Sequence, residues 1–142
     1  MSLTMSLKSR VAGPVVILSW VFFLVLSLGT TSALAEDCPA KSTGMDDIVD
    51  AISAAPGCNR AMKIFEACEF GASGDVQLGA AVEKKCEGDF LARLKTPQRQ
   101  AYQHEMRLCD RKYRNQSGTM YLSFTAFCRA EVAQRYAHKM QK

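Results

Sequence analysis

The sequence is poor in the residues from which catalytic and metal sites are commonly built. It contains two histidines, His104 and His138, whereas serine-type triads and most catalytic zinc sites depend on positioned imidazoles. Its six cysteines stand at least ten positions apart, which excludes the Cys-x-x-Cys spacing of metal and redox motifs. The carboxylates recur at spacings that fit solvated helix faces. We therefore assign no catalytic residue, no metal ligand and no cofactor, and we expect a protein that is not an enzyme.

Strand patterns are also missing, because no run alternates β-branched with polar residues. Apolar residues recur instead at helical spacing, and turn residues separate five such segments. Thr96 and Pro97 are a typical helix start, with threonine as the N-cap and proline at the first helical position, and Asn59 is a fair N-cap for an earlier helix. The predicted helices cover residues 45–54, 59–69, 75–94, 96–114 and 119 onward.

The apolar stripes of these helices predict the core. Its predicted members are Met45, Ile48, Val49, Ile52, Met62, Phe65, Cys68, Leu78, Val82, Cys86, Phe90, Tyr102, Met106, Cys109, Tyr113, Met120, Phe124, Phe127 and Cys128. Gly79 and Gly88 fall inside the third helix, where each lowers helix stability by about 1 kcal/mol relative to alanine. The predicted fold is all-α, a small disulfide-stapled bundle of antiparallel helix hairpins.

The first 35 residues have the composition of a removable export signal. A basic start precedes the apolar run 15–28, and small residues stand at Ala33 and Ala35, positions −3 and −1 relative to Glu36. As a helix this run would reach about 21 Å, short of the roughly 30 Å hydrocarbon core of a bilayer. We predict a signal peptide over 1–35 with cleavage before Glu36, and an uncleaved membrane anchor is the alternative.

The segment 36–142 is predicted to form a single helical domain that is held together by disulfides. All six cysteines of the chain lie in it, and an even number in a short exported chain is typical of a disulfide framework. These cysteines are Cys38, Cys58, Cys68, Cys86, Cys109 and Cys128. We therefore expect an oxidising location, either the periplasm or the outside of the cell.

Hairpin geometry ranks the possible pairings, because residues on two antiparallel helices lie opposite one another when they are equally far from the turn. The rule favours Cys109 with Cys128 most and also fits Cys58 with Cys86, and Cys38 with Cys68 is the remaining, less well centred pair. Gly118 marks the midpoint of the first pair, the turn 71–74 that of the second, and Pro56 lies near that of the third. The alternative is sequential pairing of the first four cysteines. Six cysteines allow fifteen connectivities, and the sequence does not choose between these two.

Charge divides this domain into two halves. Residues 36–94 carry eleven acidic and six basic side chains, whereas residues 95–142 carry three acidic and ten basic ones. The halves either neutralise one another, within the fold or across a dimer, or they contact different partners. In the basic half, Arg107, Arg111 and Arg114 recur at helical spacing and are candidate contacts for an anionic partner.

The basic half also carries a recognisable arrangement of residues. One helix bears Cys109, a turn contains Gly118, Cys128 follows on the next helix, and Arg135 lies late in that helix. This stretch, PQRQAYQHEMRLCDRKYRNQSGTMYLSFTAFCRAEVAQRYA, resembles the lysozyme-inhibitor LprI-type family of small bacterial envelope proteins. Upstream, CEGDFLARL at Cys86 loosely resembles the earlier cysteine segment of the family. The resemblance implies a periplasmic protein that inhibits a lysozyme-like enzyme by protein–protein contact.

Two functions therefore remain open at the level of sequence. The first is inhibition of a lysozyme-like enzyme, or binding of another envelope protein, for which the acidic half would speed encounter with a basic target. The second is a structural or envelope-associated role in which the basic half contacts anionic lipid or glycan. Export and the small net charge of the domain argue against nucleic acid as a partner.

Overall fold

The computed structural model describes residues 37–141, all of which lie within the compact unit Ala35–Lys142. Five α-helices and one short 3₁₀ turn make up this part of the chain, which contains no strand, so the all-α prediction is confirmed. The elements are α1 (Met45–Ala54), α2 (Cys58–Cys68), α3 (Asp75–Phe90), the 3₁₀ turn Leu91–Arg93, α4 (Thr96–Lys112) and α5 (Thr119–Met140). The predicted signal peptide, with Ala33 and Ala35, lies outside the described residues and stays a prediction.

The start of α2 differs from the prediction because a distant residue caps it. The helix begins at Cys58 rather than after Asn59, and the backbone N–H of Cys58 donates to Oδ2 of Asp89 at 3.3 Å. Asp89 lies near the end of α3, so a carboxylate from another helix meets the positive end of the α2 dipole. Local sequence favoured Asn59 as the cap, whereas its amide oxygen instead accepts a hydrogen bond from Gln134 of α5.

The boundaries of α3 and α4 also shift by a few residues. The predicted third helix changes to a 3₁₀ turn after Phe90, and Thr96 lies inside α4 instead of capping it. Lys95 is the N-cap residue, and its backbone N–H donates to the side-chain oxygen of Gln98 at 2.9 Å. Because α4 ends at Lys112, Arg114 lies in the following turn and not on the helix.

The centre of the bundle is a close approach between α3 and α5. A Cβ atom placed on Gly79 would lie 2.9 Å from Cβ of Ala126 and 3.1 Å from its carbonyl oxygen. Along the same side α5 buries a row of small residues, which are Ser123, Ala126, Ala130, Ala133 and Ala137. The sequence-based core missed this row, because small side chains give a weak hydrophobic signal even where they set the distance between two helices.

Three disulfides hold the bundle together, and they join the pairs that the hairpin geometry favoured. Cys38 bonds to Cys68, Cys58 to Cys86, and Cys109 to Cys128, with Cα–Cα distances of 4.8, 4.5 and 5.6 Å. The sequential alternative therefore does not occur. Four of these six cysteines have almost no exposed surface and pack as part of the core.

Most of the predicted apolar core is buried, but the start of α5 is an exception. Met120 and Phe124 are 48% and 41% exposed, and Tyr113 is half-buried. All three positions were predicted as core, and the prediction is wrong for Met120 and Phe124. The residues that α5 buries against α3 in this region are Ser123 and Ala126, on either side of Phe124 in the sequence. No helix within residues 37–141 has both the length and the apolar character needed to cross a membrane.

Candidate interaction surfaces

The two histidines lie on different helices, His104 on α4 and His138 on α5. His104 and His138 are both exposed, and the ring of His138 contacts the side-chain oxygen of Asn59. Within the part of the chain that the structure describes, no three His, Cys, Asp or Glu side chains converge on a point where a metal could bind. Two surfaces of the protein differ in the charge of their exposed side chains.

The carboxylates of α3 are used inside the fold. Asp75 is fully buried. Its Oδ1 accepts from the backbone N–H of Phe70 at 2.8 Å, and its Oδ2 accepts from the N–H of Ala72 at 3.3 Å and from the hydroxyl of Ser123 at 2.6 Å. One carboxylate thus closes the turn before α3 and ties that turn to α5.

A second internal contact links the acidic half to the basic half. Nε and Nη2 of Arg129 donate to the two carboxylate oxygens of Glu83, each at 2.8 Å. Its Nη1 donates to both oxygens of Asp110 at 2.9 and 3.1 Å. The hydrogen bonds with Glu83 raise the pKa of Arg129, against the opposing effect of partial burial. Part of the charge asymmetry is therefore neutralised within the fold, as one of the two interpretations expected.

Other acidic residues remain exposed and can meet a partner. We define the acidic surface as the exposed carboxylates Glu66 and Glu69 at the end of α2, together with the adjacent Phe70. Asp46 and Asp50 of α1 are exposed as well. The side chain of Phe70 is 46% exposed. Phe70 is therefore a partly exposed aromatic residue that directly follows the carboxylate residue Glu69.

Phe70 is held in place by its neighbours. A Cβ atom on Gly74 would lie 2.9 Å from Cδ2 of the Phe70 ring and 3.0 Å from Cε of Met45, so the ring and the methionine both cover this glycine. Next to the ring, burial raises the pKa of Glu69, and the negative charges of Asp75 and Glu66 raise it further. The acidic surface therefore combines a positioned ring with a concentrated negative potential.

The predicted arginine stripe lies in the basic half of the chain. Arg107 and Arg111 occupy the exposed side of α4, and Arg114 lies in the turn that follows. None of the three forms a side-chain hydrogen bond or ion pair with another described residue. The structure therefore leaves their charges available, although only two of them share a helix.

Beside these arginines lies a group of rings, two of which the sequence analysis assigned to the core. We define the basic aromatic tip as Lys112, Tyr113, Arg114, Met120, Tyr121 and Phe124. The ring centroids of Tyr113, Tyr121 and Phe124 lie 5.7 to 6.0 Å from one another. The ammonium group of Lys112 lies 5.0 Å from the centre of the Tyr113 ring, a cation–π distance.

A groove of about 370 Å³ runs along the same hairpin beside the Cys109–Cys128 bridge, and Leu108 and Lys112 contribute to its lining. In the same groove Glu105 accepts from Nη2 of Arg135 and from the hydroxyl of Tyr136, both at 2.8 Å. Burial alone would raise the pKa of Glu105, but these two hydrogen bonds and the nearby positive charges outweigh it and lower the pKa. For Tyr136, burial and the bond to Glu105 raise the pKa to about 12.

The fold and its surfaces define an all-α, disulfide-stapled protein with one acidic and one basic aromatic surface. Comparison with protein-family models, with curated proteins and with solved structures finds no match for this chain. The LprI-type resemblance therefore rests on the residues quoted for it and stays a prediction.

Proposed function

We propose that this protein is an exported binding protein that acts through contact with another macromolecule and not through catalysis. Three disulfides close its short helices into one unit, as is typical of small proteins in oxidising compartments. Its exposed carboxylates lie mostly in residues 37–94 and its exposed cations mostly in residues 95–141, and the carboxylates of Asp75 and Glu83 have structural partners. The proposed location is the periplasm or the outside of the cell.

The proposed partner is a basic protein of the envelope, and a lysozyme-like enzyme is the candidate that the LprI-type resemblance names. The observation that carries this proposal is the exposed ring of Phe70 within the acidic surface. Aromatic side chains are enriched among the few residues that contribute most to protein–protein affinity. The surrounding carboxylates Glu66 and Glu69 would attract a positively charged enzyme and speed association.

A lysis assay tests this proposal. The oxidised protein is added in increasing molar excess to a lysozyme that is clearing a suspension of bacterial cell walls, and we expect clearing to slow. Phe70→Ala should weaken the inhibition at least tenfold, since hot-spot aromatics contribute about 2 kcal/mol or more. Phe124→Ala is the matched control, because it removes a similarly exposed ring from the basic half and should leave inhibition unchanged.

Charge provides an independent arm of the same test. The double variant Glu66→Gln and Glu69→Gln should slow association and reduce its dependence on salt, because it removes two of the carboxylates that steer the enzyme. Clearing that proceeds at an unchanged rate under a large excess of the oxidised protein refutes inhibition of the enzyme tested.

A second candidate function is favoured by the basic half. Arg107, Arg111 and Arg114 are exposed and lack side-chain partners among the described residues, so they are available to an anionic lipid or glycan. This candidate predicts binding to anionic vesicles or to an anionic polysaccharide that weakens as salt rises. Replacing all three arginines by alanine should abolish that binding, and binding that is absent or independent of salt counts against it.

A further inference from the structure

The end of the α4–α5 hairpin has positive charge without a compensating carboxylate. Between Arg111 and Ala130 the chain contains four basic residues and no aspartate or glutamate. One of the four, Arg129, is held by Glu83 and Asp110, so Arg111, Lys112 and Arg114 supply the free charge of this end. Asp110, the nearest carboxylate before this stretch, is itself paired with Arg129.

Apolar and aromatic side chains share this end with the charges. Met120 and Phe124 lie one helical turn apart on α5 and are 48% and 41% exposed. The rings of Tyr113, Tyr121 and Phe124 lie in mutual contact. The two tyrosines also have a polar end, their hydroxyl group. Rings with one polar end and one apolar face are enriched where proteins meet the boundary between lipid and water.

A disulfide holds this arrangement rigid. Cys109 precedes Tyr113 by one helical turn, and Cys128 follows Phe124 by one turn, so the Cys109–Cys128 bridge joins the two helices one turn behind the rings. The two helices of the hairpin therefore cannot separate when the tip meets a surface. A site that is already rigid loses less conformational entropy on binding than a flexible one.

We propose that the basic aromatic tip docks on an anionic lipid bilayer. In this arrangement Phe124 and Met120 enter the boundary between headgroups and acyl chains, while Lys112 and Arg114 lie at the level of the lipid phosphates. The inference rests on the second candidate function, and it commits that function to lipid and to particular residues. A soluble polyanion would satisfy the charges, but it offers no apolar region to cover the exposed side chain of Met120.

Fluorescence tests the depth of the tip directly. The only tryptophan of the chain is Trp20, so protein recovered after export and removal of residues 1–35 contains none. Phe124→Trp then places a single reporter at the tip, and Phe70→Trp places a matched reporter on the acidic surface. With vesicles of phosphatidylglycerol and phosphatidylcholine in equal parts, emission from the Phe124→Trp variant should shift to the blue and resist quenching by acrylamide. Emission from the Phe70→Trp variant should stay unchanged.

Affinity for the same vesicles provides the second readout. Phe124→Ala should weaken binding about fivefold, as expected for loss of a partly inserted ring, and Phe70→Ala should leave it unchanged. Arg114→Gln should also weaken binding about fivefold, because each cation near an anionic surface contributes about 1 kcal/mol. Lys84→Gln removes the same charge from an exposed position on α3 and should have no effect. Circular dichroism confirms that each variant is folded.

The outcomes separate this inference from the function on which it rests. Salt-sensitive binding to anionic vesicles, with no change in the Phe124→Trp emission and no effect of Phe124→Ala, overturns the inference and leaves the second candidate function intact. Binding to an anionic polysaccharide but not to anionic vesicles also overturns it, in favour of glycan. Absence of binding to either probe refutes both. If the protein binds vesicles of phosphatidylcholine alone as tightly as it binds the anionic vesicles, the inference that its basic residues drive docking is overturned.

Discussion

Replacing Gly79 by alanine should destabilise the protein, whereas the same replacement at Gly88 should stabilise it. Both glycines lie within α3, so the gain in helix propensity is shared. They differ in what a Cβ atom would meet. At Gly79 it would lie 2.9 Å from Cβ of Ala126 and 3.1 Å from its carbonyl oxygen. At Gly88 it would meet no atom within 4 Å other than its chain neighbours and the backbone of its own helix.

The magnitudes follow from two opposing effects. Alanine gains about 1 kcal/mol over glycine within a helix, and at Gly88 nothing opposes that gain. At Gly79 the added methyl group must push against the backbone of α5, and overpacking of this kind costs about 1–3 kcal/mol. We therefore expect Gly88→Ala to stabilise by about 0.5–1 kcal/mol and Gly79→Ala to destabilise by up to about 2 kcal/mol net.

Urea and thermal unfolding, followed by the helical circular dichroism signal, measure both changes on the oxidised protein. For a domain of about 100 residues, 1 kcal/mol corresponds to a shift in Tm of about 4–8 °C, so the two variants should move in opposite directions by a readily measured amount. Ala126→Gly by itself should cost about 1 kcal/mol as a glycine within α5. Combined with Gly79→Ala it should cost less than the two single changes added together, because it removes the closer of the two contacts.

Equal stability of Gly79→Ala and Gly88→Ala would refute this reasoning, since the two helices would then be able to separate without cost. If the loss of unfolding free energy in the double mutant equals the sum of the losses in the two single variants, the Ala126 side chain does not oppose the added methyl group.

Three further predictions concern the covalent, buried and titratable parts of the structure. Replacing Cys58 and Cys86 by alanine should lower the free energy of unfolding by about 3–4 kcal/mol. Reduction of all three bridges with dithiothreitol should abolish the helical circular dichroism signal. An unchanged melting temperature after reduction would contradict the role of the bridges. Ser123→Ala removes one hydrogen-bond donor from the buried carboxylate of Asp75 and should lower the free energy of unfolding in urea by about 1–3 kcal/mol. A change near zero would mean that this hydrogen bond does not stabilise the fold. The lowered pKa of Glu105 means that its ionised form stabilises the fold above the ordinary pKa of glutamate, and that this stabilisation is lost as the pH falls through the lowered value. Glu105→Gln should therefore unfold more readily at neutral pH and approach the parent protein in strong acid, and a gap that is constant with pH would contradict this assignment.

The positions of the helices were largely predictable because their signals are local. Apolar residues at helical spacing and the turn residues between them predicted α1 at its observed bounds, and the other helices within a few positions. The cysteine pairing was also accessible, since two of the bridges join neighbouring helices, α2 with α3 and α4 with α5, and the turn marks the centre of each pair. The third bridge starts at Cys38, which lies before α1. For these features, residues close in sequence carry the information.

The errors have a different origin. Asn59 was a reasonable cap on local grounds, but Asp89 reaches the start of α2 from another helix. Phe124 was assigned to the core because its spacing continues the apolar stripe of α5, yet α5 packs Ser123 and Ala126 against α3 and leaves Phe124 41% exposed. In both cases the outcome depended on which helix lay opposite, and helix periodicity contains no such information.

The amino-acid sequence by itself determined the class of the fold, because helix periodicity, turn residues and cysteine spacing act over short distances along the chain. Only the tertiary structure decided which charges stay free and which rings stay exposed. Glu83 and Glu66 look alike in the sequence, but packing gives the first an arginine from α5 and leaves the second in water. The energy of a charge or a ring depends on its surroundings, and those surroundings are set by contacts between distant segments.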